Sequence, residues 1–283
     1  MRLHTRQSRF MHYNAGAFVS EGVACLVDPG ILAEEIEALH AELGGAEIRF
    51  IVLTHADWDH VLGPEHLPRA TIVAHSAYED GLDPEGIRVA LAQLENHAGV
   101  TRAQPFEPPR PDETFDTETV LRVGDLELRL EHAPGHSANM LTIYEPESST
   151  LWASDVLSDV ELPSVVDDLG MHQRTLDRLS ELEIRTLVPG HGSPTDDPIR
   201  IQRRLEEDRT YLAELRRSVE EAVAAGMTLD ETVASSAGVS LRRSEGDEEI
   251  HRLNVEKTYA DLGGDADAEQ VGYARAWKEL TRA

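Results

Sequence analysis

With a single cysteine among 283 residues, Cys25, the chain can form no intramolecular disulfide. That cysteine lies in the apolar run Ala24-Cys25-Leu26-Val27, which predicts a buried, packing thiol rather than a nucleophile. Basic charge is scarce too: 26 Lys plus Arg stand against 53 Asp plus Glu, giving a net charge of −27, and Lys257 and Lys278 are the only lysines. A field of that sign repels phosphate backbones, so nucleic acid is not an expected partner. Solubility in high salt and plain compositional bias explain such a surface equally well. No apolar run approaches the roughly 20 residues that cross a bilayer. The opening MRLHTRQSRF leads into MHYNAGAF, not into an apolar core followed by a small-residue cleavage site. The expectation is a protein of the reducing cytoplasm with no membrane association and no secretory signal.

What is present is enough chain for a large α/β core without covalent staples. Ala15 to Ser20 and Val23 to Val27 flank Glu21-Gly22 as a predicted hairpin that stops at Asp28-Pro29-Gly30. Ile31, Leu32, Ile36, Leu39 and Leu43 then recur at helical spacing, and the apolar run Ile48 to Leu53 reads as a buried strand. Thr71 to Ala74 reads as a strand, 84–98 as a helix, and the Pro-rich Gln104 to Pro111 as a connector between two halves. In the second half, strands are predicted at Val120 to Val123, Leu126 to Leu130, Met140 to Tyr144, Thr150 to Trp152 and Ile184 to Val188, with a helix over Leu169 to Leu182. From Asp197, an N-cap followed by Pro198, the pattern turns helical to about Ala225, then again near 228–236, 246–262 and 266–281. Two similar strand-and-helix halves predict a layered α/β core.

Four segments carry chemistry: Thr54-His55-Ala56-Asp57-Trp58-Asp59-His60, Ala133-Pro134-Gly135-His136-Ser137, Ala153-Ser154-Asp155 and Val188-Pro189-Gly190-His191-Gly192. Each follows a predicted strand or lies between two. They place His55, Asp57, Asp59, His60, His136, Asp155 and His191 on loops at strand ends, where imidazole and carboxylate arms from distant sequence can converge on metal ions. One Gly-His turn is weak evidence of a ligand; four such loops in order make a metal site the stronger reading. His66, His75, His132 and His172 lie near these loops as supporting or packing residues, and Trp58 is either a pocket wall or a packing aromatic. His251 reads as a helix-face residue.

On these motifs the chain resembles the metallo-β-lactamase fold superfamily over about residues 10 to 196, with glyoxalase II-like hydrolases as the nearest style. The usual His-x-His-x-Asp-His run is matched by His55 to His60, except that Asp57 stands where the second histidine belongs. The resemblance implies a four-layer αββα sandwich over 1–196 with a C-terminal helical extension over 197–283 that packs on the core and caps the cleft. It also implies two divalent metal ions, iron, manganese or zinc. One is held by His55, Asp57 and His136, the other by Asp59, His60 and His191, with Asp155 bridging. The activity implied is hydrolysis of an ester, thioester, lactone or phosphoester of a small metabolite by a hydroxide between the ions, with Asp59 as the catalytic proton acceptor. The carboxylate at 57 favours iron or manganese over zinc. It also resembles the flavodiiron proteins, so a di-iron oxidoreductase served by a separate electron donor is an alternative, and a non-catalytic metal-binding protein is another. Substrate identity and oligomeric state stay open.

Overall fold

The computed structural model describes residues 1–98, 106–239, 246–267 and 270–276. The first half forms one six-stranded sheet in sequential order: β1 (Arg2–Gln7), β2 (Asn14–Ser20), β3 (Val23–Val27), β4 (Glu47–Val52), β5 (Thr71–His75) and β6 (Glu113–Phe115). β1, β2 and β3 run antiparallel, and β3 to β6 pair in parallel. The second half forms a five-stranded sheet from β7 (Glu118–Val123), β8 (Leu126–His132), β9 (Leu141–Glu145), β10 (Thr150–Ser154) and β11 (Thr186–Pro189), in the order β11-β10-β9-β8-β7.

Alternation along each strand decides which layer a side chain joins. In β3, Val23, Cys25 and Val27 face the other sheet, whereas Ala24 and Leu26 face helices. Both faces are covered, which is why such strands read as unbroken apolar runs. The inner core sets Phe18, Cys25, Val27 and Val52 of the first sheet against Leu128, Leu130, Ile143 and Trp152 of the second. Burial pushes the Cys25 thiol up, as expected for a packing residue.

Outside the first sheet lie α1 (Ala33–Glu42), the single turn α2 (Tyr78–Gly81) and α3 (Pro84–Ala98). Leu39, Leu91 and Leu94 pack there on Ala17 and Leu26. Outside the second sheet lie α4 (Leu169–Ser180) and α5 (Pro198–Ala224), followed by α6 (Leu229–Ser236) and α7 (Asp247–Asp261). Leu176, Leu205, Leu212 and Val255 join Leu151 and Leu187 in one cluster, so helix, sheet, sheet and helix stack as four layers. Asp197 caps α5 by accepting from the Ile199 amide at 2.9 Å, and Pro198 opens it, as the sequence predicts.

β1 and β6 differ from the sequence expectation, which left both segments without structure. β1 is an edge strand whose polar side chains are mostly solvated, and β6 has three residues, so neither carries an apolar signal. Of the expected connector, residues 106–111 have no regular structure, while 104 and 105 lie outside the described residues. A helix is present at 272–276; the rest of its expected span to 281 lies outside them in part. No helix among the described residues is long and apolar enough to cross a membrane.

Candidate metal centre

The four motif loops leave the carboxyl ends of β4, β8, β10 and β11 and meet at one edge of the sandwich. All seven expected donors come together there. Their atoms fall into three overlapping triangles: His55, Asp57 and His136; His55, His60 and Asp155; and Asp59, His60 and His191, each with donor atoms within 4.8 Å of one another. Asp57, the substitution in the motif, is part of the first. Its Oδ2 lies 3.5 Å from His55 Nε2 and 3.3 Å from His136 Nε2, so the shorter side chain reaches without leaving its loop. At the other end, Asp59 Oδ2 is 3.3 Å from His191 Nε2, and Asp155 Oδ2 lies 3.7 Å from His55 Nε2 and 3.6 Å from His191 Nε2 between the two ends.

These separations suit cations. Donors about 2.0–2.2 Å from an ion at tetrahedral angles stand roughly 3.3–3.6 Å apart. Among the described residues, buried His55 Nε2, His60 Nε2 and Asp155 Oδ1 have no hydrogen-bond partner, an arrangement that is costly without something to satisfy them. The outer ring nitrogens explain why the inner ones point inward. His60 Nδ1–H donates to Asp28 Oδ2 at 2.9 Å and His191 Nδ1–H to the Met11 carbonyl at 3.0 Å. Thr54 Oγ1 donates to Asp28 Oδ2 at 2.6 Å and lies 3.1 Å from His55 Nδ1, which donates to it. With Nδ1 engaged in this way, Nε2 is the nitrogen that each of these three imidazoles turns to the centre.

Charge is balanced within the cluster. Burial works against protonation of His60, but Asp155, Asp59 and Asp28 outweigh it and raise its pKa well above the ordinary value. For Asp155, burial opposes ionisation, yet His60 and His191 hold its carboxyl well below the usual range. His172 is different: burial beside the His136 loop pushes it down to about 3, so it is a neutral packing residue. His75 and His132 stack on each other at 3.9 Å, and His66 pairs with Glu65 at 3.2 Å, so neither pair nor His172 belongs to the three triangles. His251 is more than a helix-face residue, because it bridges Tyr211 Oη at 3.0 Å and the Ser236 carbonyl at 2.9 Å.

The support around the donors was not legible as such in the sequence. Asp28 ends β3 with a left-handed φ of 42°, which turns its carboxylate under His60 and onto the Thr54 amide at 2.8 Å. Asn14 donates to the carbonyls of Pro189 at 2.9 Å and Gly192 at 2.8 Å, fixing the His191 loop. Asn139 Oδ1 accepts from the Ala56 amide at 2.8 Å and fixes the other. The Asp-Pro-Gly turn after a strand was the one available signal for Asp28. Replacing Asp28 by alanine is expected to weaken metal affinity about 10–100-fold, read by competition with a chromogenic chelator. Unchanged affinity would remove Asp28 from this role.

A helix-flanked double sheet with His and Asp donors gathered at one edge defines a metallohydrolase fold. A family model described as the metallo-beta-lactamase superfamily matches residues 9–191, and the chain belongs to that superfamily as one of its hydrolases. It is 24% identical to the beta-lactamase-like protein 2 homolog of Caenorhabditis elegans over 76% of this chain and 72% of that protein. It is 26% identical to an atrochrysone carboxyl ACP thioesterase of Pseudocercospora fijiensis, covering 97% of this chain and 87% of that one. The acyl-coenzyme A thioesterase MBLAC2 of Gallus gallus is 26% identical, and the match spans 50% of this chain and about half of that protein, 55%. Among solved structures, the metallo-beta-lactamase family protein TTHA1429 of Thermus thermophilus superposes with a TM-score of 0.62 over 92% of both chains at 22% identity. The sec-alkylsulfatase Pisa1 of Pseudomonas sp. does so with a TM-score of 0.69 at 17% identity, over 90% of this chain and 48% of that one.

Proposed function

We propose that this chain is a dinuclear metal-dependent thioesterase acting on small acyl thioesters. The observation that carries the reading is the set of three donor triangles sharing His55 and His60, which suits two ions with Asp155 between them. The relatives named as thioesterases support the choice of bond. In this reading residues 1–196 form the catalytic part and 197–283 an extension, of which the described helices α5 to α7 pack on the second sheet.

When bound, divalent ions supply Lewis acidity that polarises the acyl oxygen and brings the pKa of water toward neutrality. The protein's own groups do the rest. Asp28, Thr54 and the Met11 carbonyl keep His60, His55 and His191 in the tautomer that faces the centre. Asp59, buried beside His191 and His60, takes the proton of the attacking water. Trp58, half-buried and edge-on to Phe10 at 6.3 Å, walls the rim and shields the reacting bond from bulk water.

The test is hydrolysis of acetyl and butyryl thioesters by protein loaded in turn with zinc, manganese and iron. Turnover should vanish on chelation and return on reloading. Asp57→His should shift the metal giving highest activity toward zinc, because imidazole replaces a harder oxygen donor. Absence of metal-dependent turnover across thioester, ester and lactone substrates would defeat the proposal. The same Asp57 carboxylate favours a second reading, a di-iron oxidoreductase, which reductant-dependent consumption of oxygen or nitric oxide by the iron-loaded protein would support.

A further inference from the structure

His136 is held differently from the other three imidazoles of the centre. His55, His60 and His191 are each oriented through Nδ1, whereas buried His136 Nδ1 has no hydrogen-bond partner among the described residues. With no hydrogen bond on the outer side of its ring, the placement of this imidazole falls to the backbone of its loop. That backbone is held from α4 and from the segment just before it. Thr175 Oγ1 donates to the Pro134 carbonyl at 2.8 Å. The Asp167 amide is shared between the carbonyl of Gly135 at 3.3 Å and that of His136 itself at 3.2 Å.

Asp167 belongs to a stretch, between Asp155 and α4, that the C-terminal helices grip from outside. At its start Arg204 of α5 engages the Asp159 carboxylate. Toward its end fully buried Asn254 of α7 accepts from the Val165 amide at 2.8 Å and donates to the Pro163 carbonyl at 2.8 Å. Lys257, three residues further along and so on the same face of α7, donates from Nζ to the Asp167 carbonyl at 2.6 Å and also engages Asp261. It is one of only two lysines in the chain, and its side chain is 18% exposed. Hydrogen bonds from an ionised donor are about twice as strong as neutral ones, which suits the ammonium to a holding role. From Lys257 to the His136 loop the path passes through a single residue, Asp167.

We propose that Lys257 is a positioning residue for His136, by which the C-terminal helices govern how tightly the ion shared by His55, Asp57 and His136 is held. Ligand distances tolerate only about 0.2 Å, so a loop free to drift loses affinity at its own ion. The opposite triangle of Asp59, His60 and His191 is fixed instead through Asp28 and the Met11 carbonyl, and its ion should not feel the change. The role of Lys257 rests on the two-ion centre proposed above but not on the choice of thioester as substrate.

The test is chelator titration of the zinc-loaded full chain, carrying isotope-labelled histidine, for the wild type, Lys257→Met and Lys257→Arg. Nitrogen NMR reads which rings still hold zinc at each free zinc concentration. In the wild type, the ring nitrogens of His136, His60 and His191 should all report bound metal. In Lys257→Met, which keeps the apolar stem and removes the donor, His136 should hold zinc about 10–100-fold more weakly while His60 and His191 keep their affinity. Lys257→Arg, which restores a charged donor, should recover most of the loss. If Lys257→Met does not fold, Lys257→Gln, a shorter neutral donor, should show the same split in smaller degree. Unchanged affinity at His136, or equal loss at both ends of the centre as a lysine that only ties α7 to the core would give, overturns the proposal. A wild type whose rings take no zinc would defeat the two-ion reading with it. The expected split without turnover of any thioester would defeat the thioesterase reading alone and leave the role of Lys257 standing.

Discussion

Asp155→Asn is expected to lower kcat/KM by more than about 100-fold and to leave less than a full complement of metal. Residues that merely support a ligand cost roughly 10–100-fold when replaced, and Asp155 stands in the middle donor triangle with oxygens 3.4 Å from His60 Nε2, 3.7 Å from His55 and 3.6 Å from His191. The amide keeps the volume and one acceptor while removing the charge that holds the buried His60 and His191 rings in balance. Metal analysis and steady-state kinetics on the same preparation read both consequences. A variant with full metal content and near-normal turnover would mean that Asp155 is not a bridge.

Gly135→Ala is the second large effect, and it acts through the backbone. Gly135 has φ of +135°, and a Cβ there would overlap the backbone of His172 in α4, while the next residue is His136. Overpacking costs about 1–3 kcal/mol and the disallowed backbone about 1–2 more, so a loss of about 3 kcal/mol is expected in urea unfolding. The control is Gly22→Ala. Gly22 also has positive φ, +76°, but nothing lies within 4 Å of its added carbon, so only the backbone cost of about 1–2 kcal/mol remains. Equal losses for the two variants would show that α4 yields to the His136 loop without strain.

The convergence of the seven side chains at the centre was legible because they sit on short motifs with fixed spacing after apolar runs. The same holds for the central strands, whose two covered faces leave an unbroken apolar signature. β1 was not legible, since an edge strand with solvated side chains such as Arg2 and Thr5 has no such signature. Asp28 stood out within the Asp28-Pro29-Gly30 segment but not as the partner of His60, because that use depends on a left-handed backbone angle and on a side chain from another loop. Asn254 and Arg204 were hidden for a related reason. Each is a polar residue within a helix, and nothing local tells that it faces a loop about 40 to 90 positions earlier.

The centre also straddles the seam of the sandwich. His55, Asp57, Asp59 and His60 follow a strand of the first sheet, and His136, Asp155 and His191 follow strands of the second. Among the described residues, hydroxyls of Thr54 and Ser154 at 2.8 Å and the Leu141 amide on the Thr54 carbonyl at 2.8 Å stitch the same seam. A cation seated there would act as a clasp between the two halves of the protein, since any ligand held only by the folded form adds to stability in proportion to the logarithm of its free concentration. Thermal endurance would then follow metal supply: scarcity would loosen this edge first, exposing its loops to proteases before the opposite edge gives way.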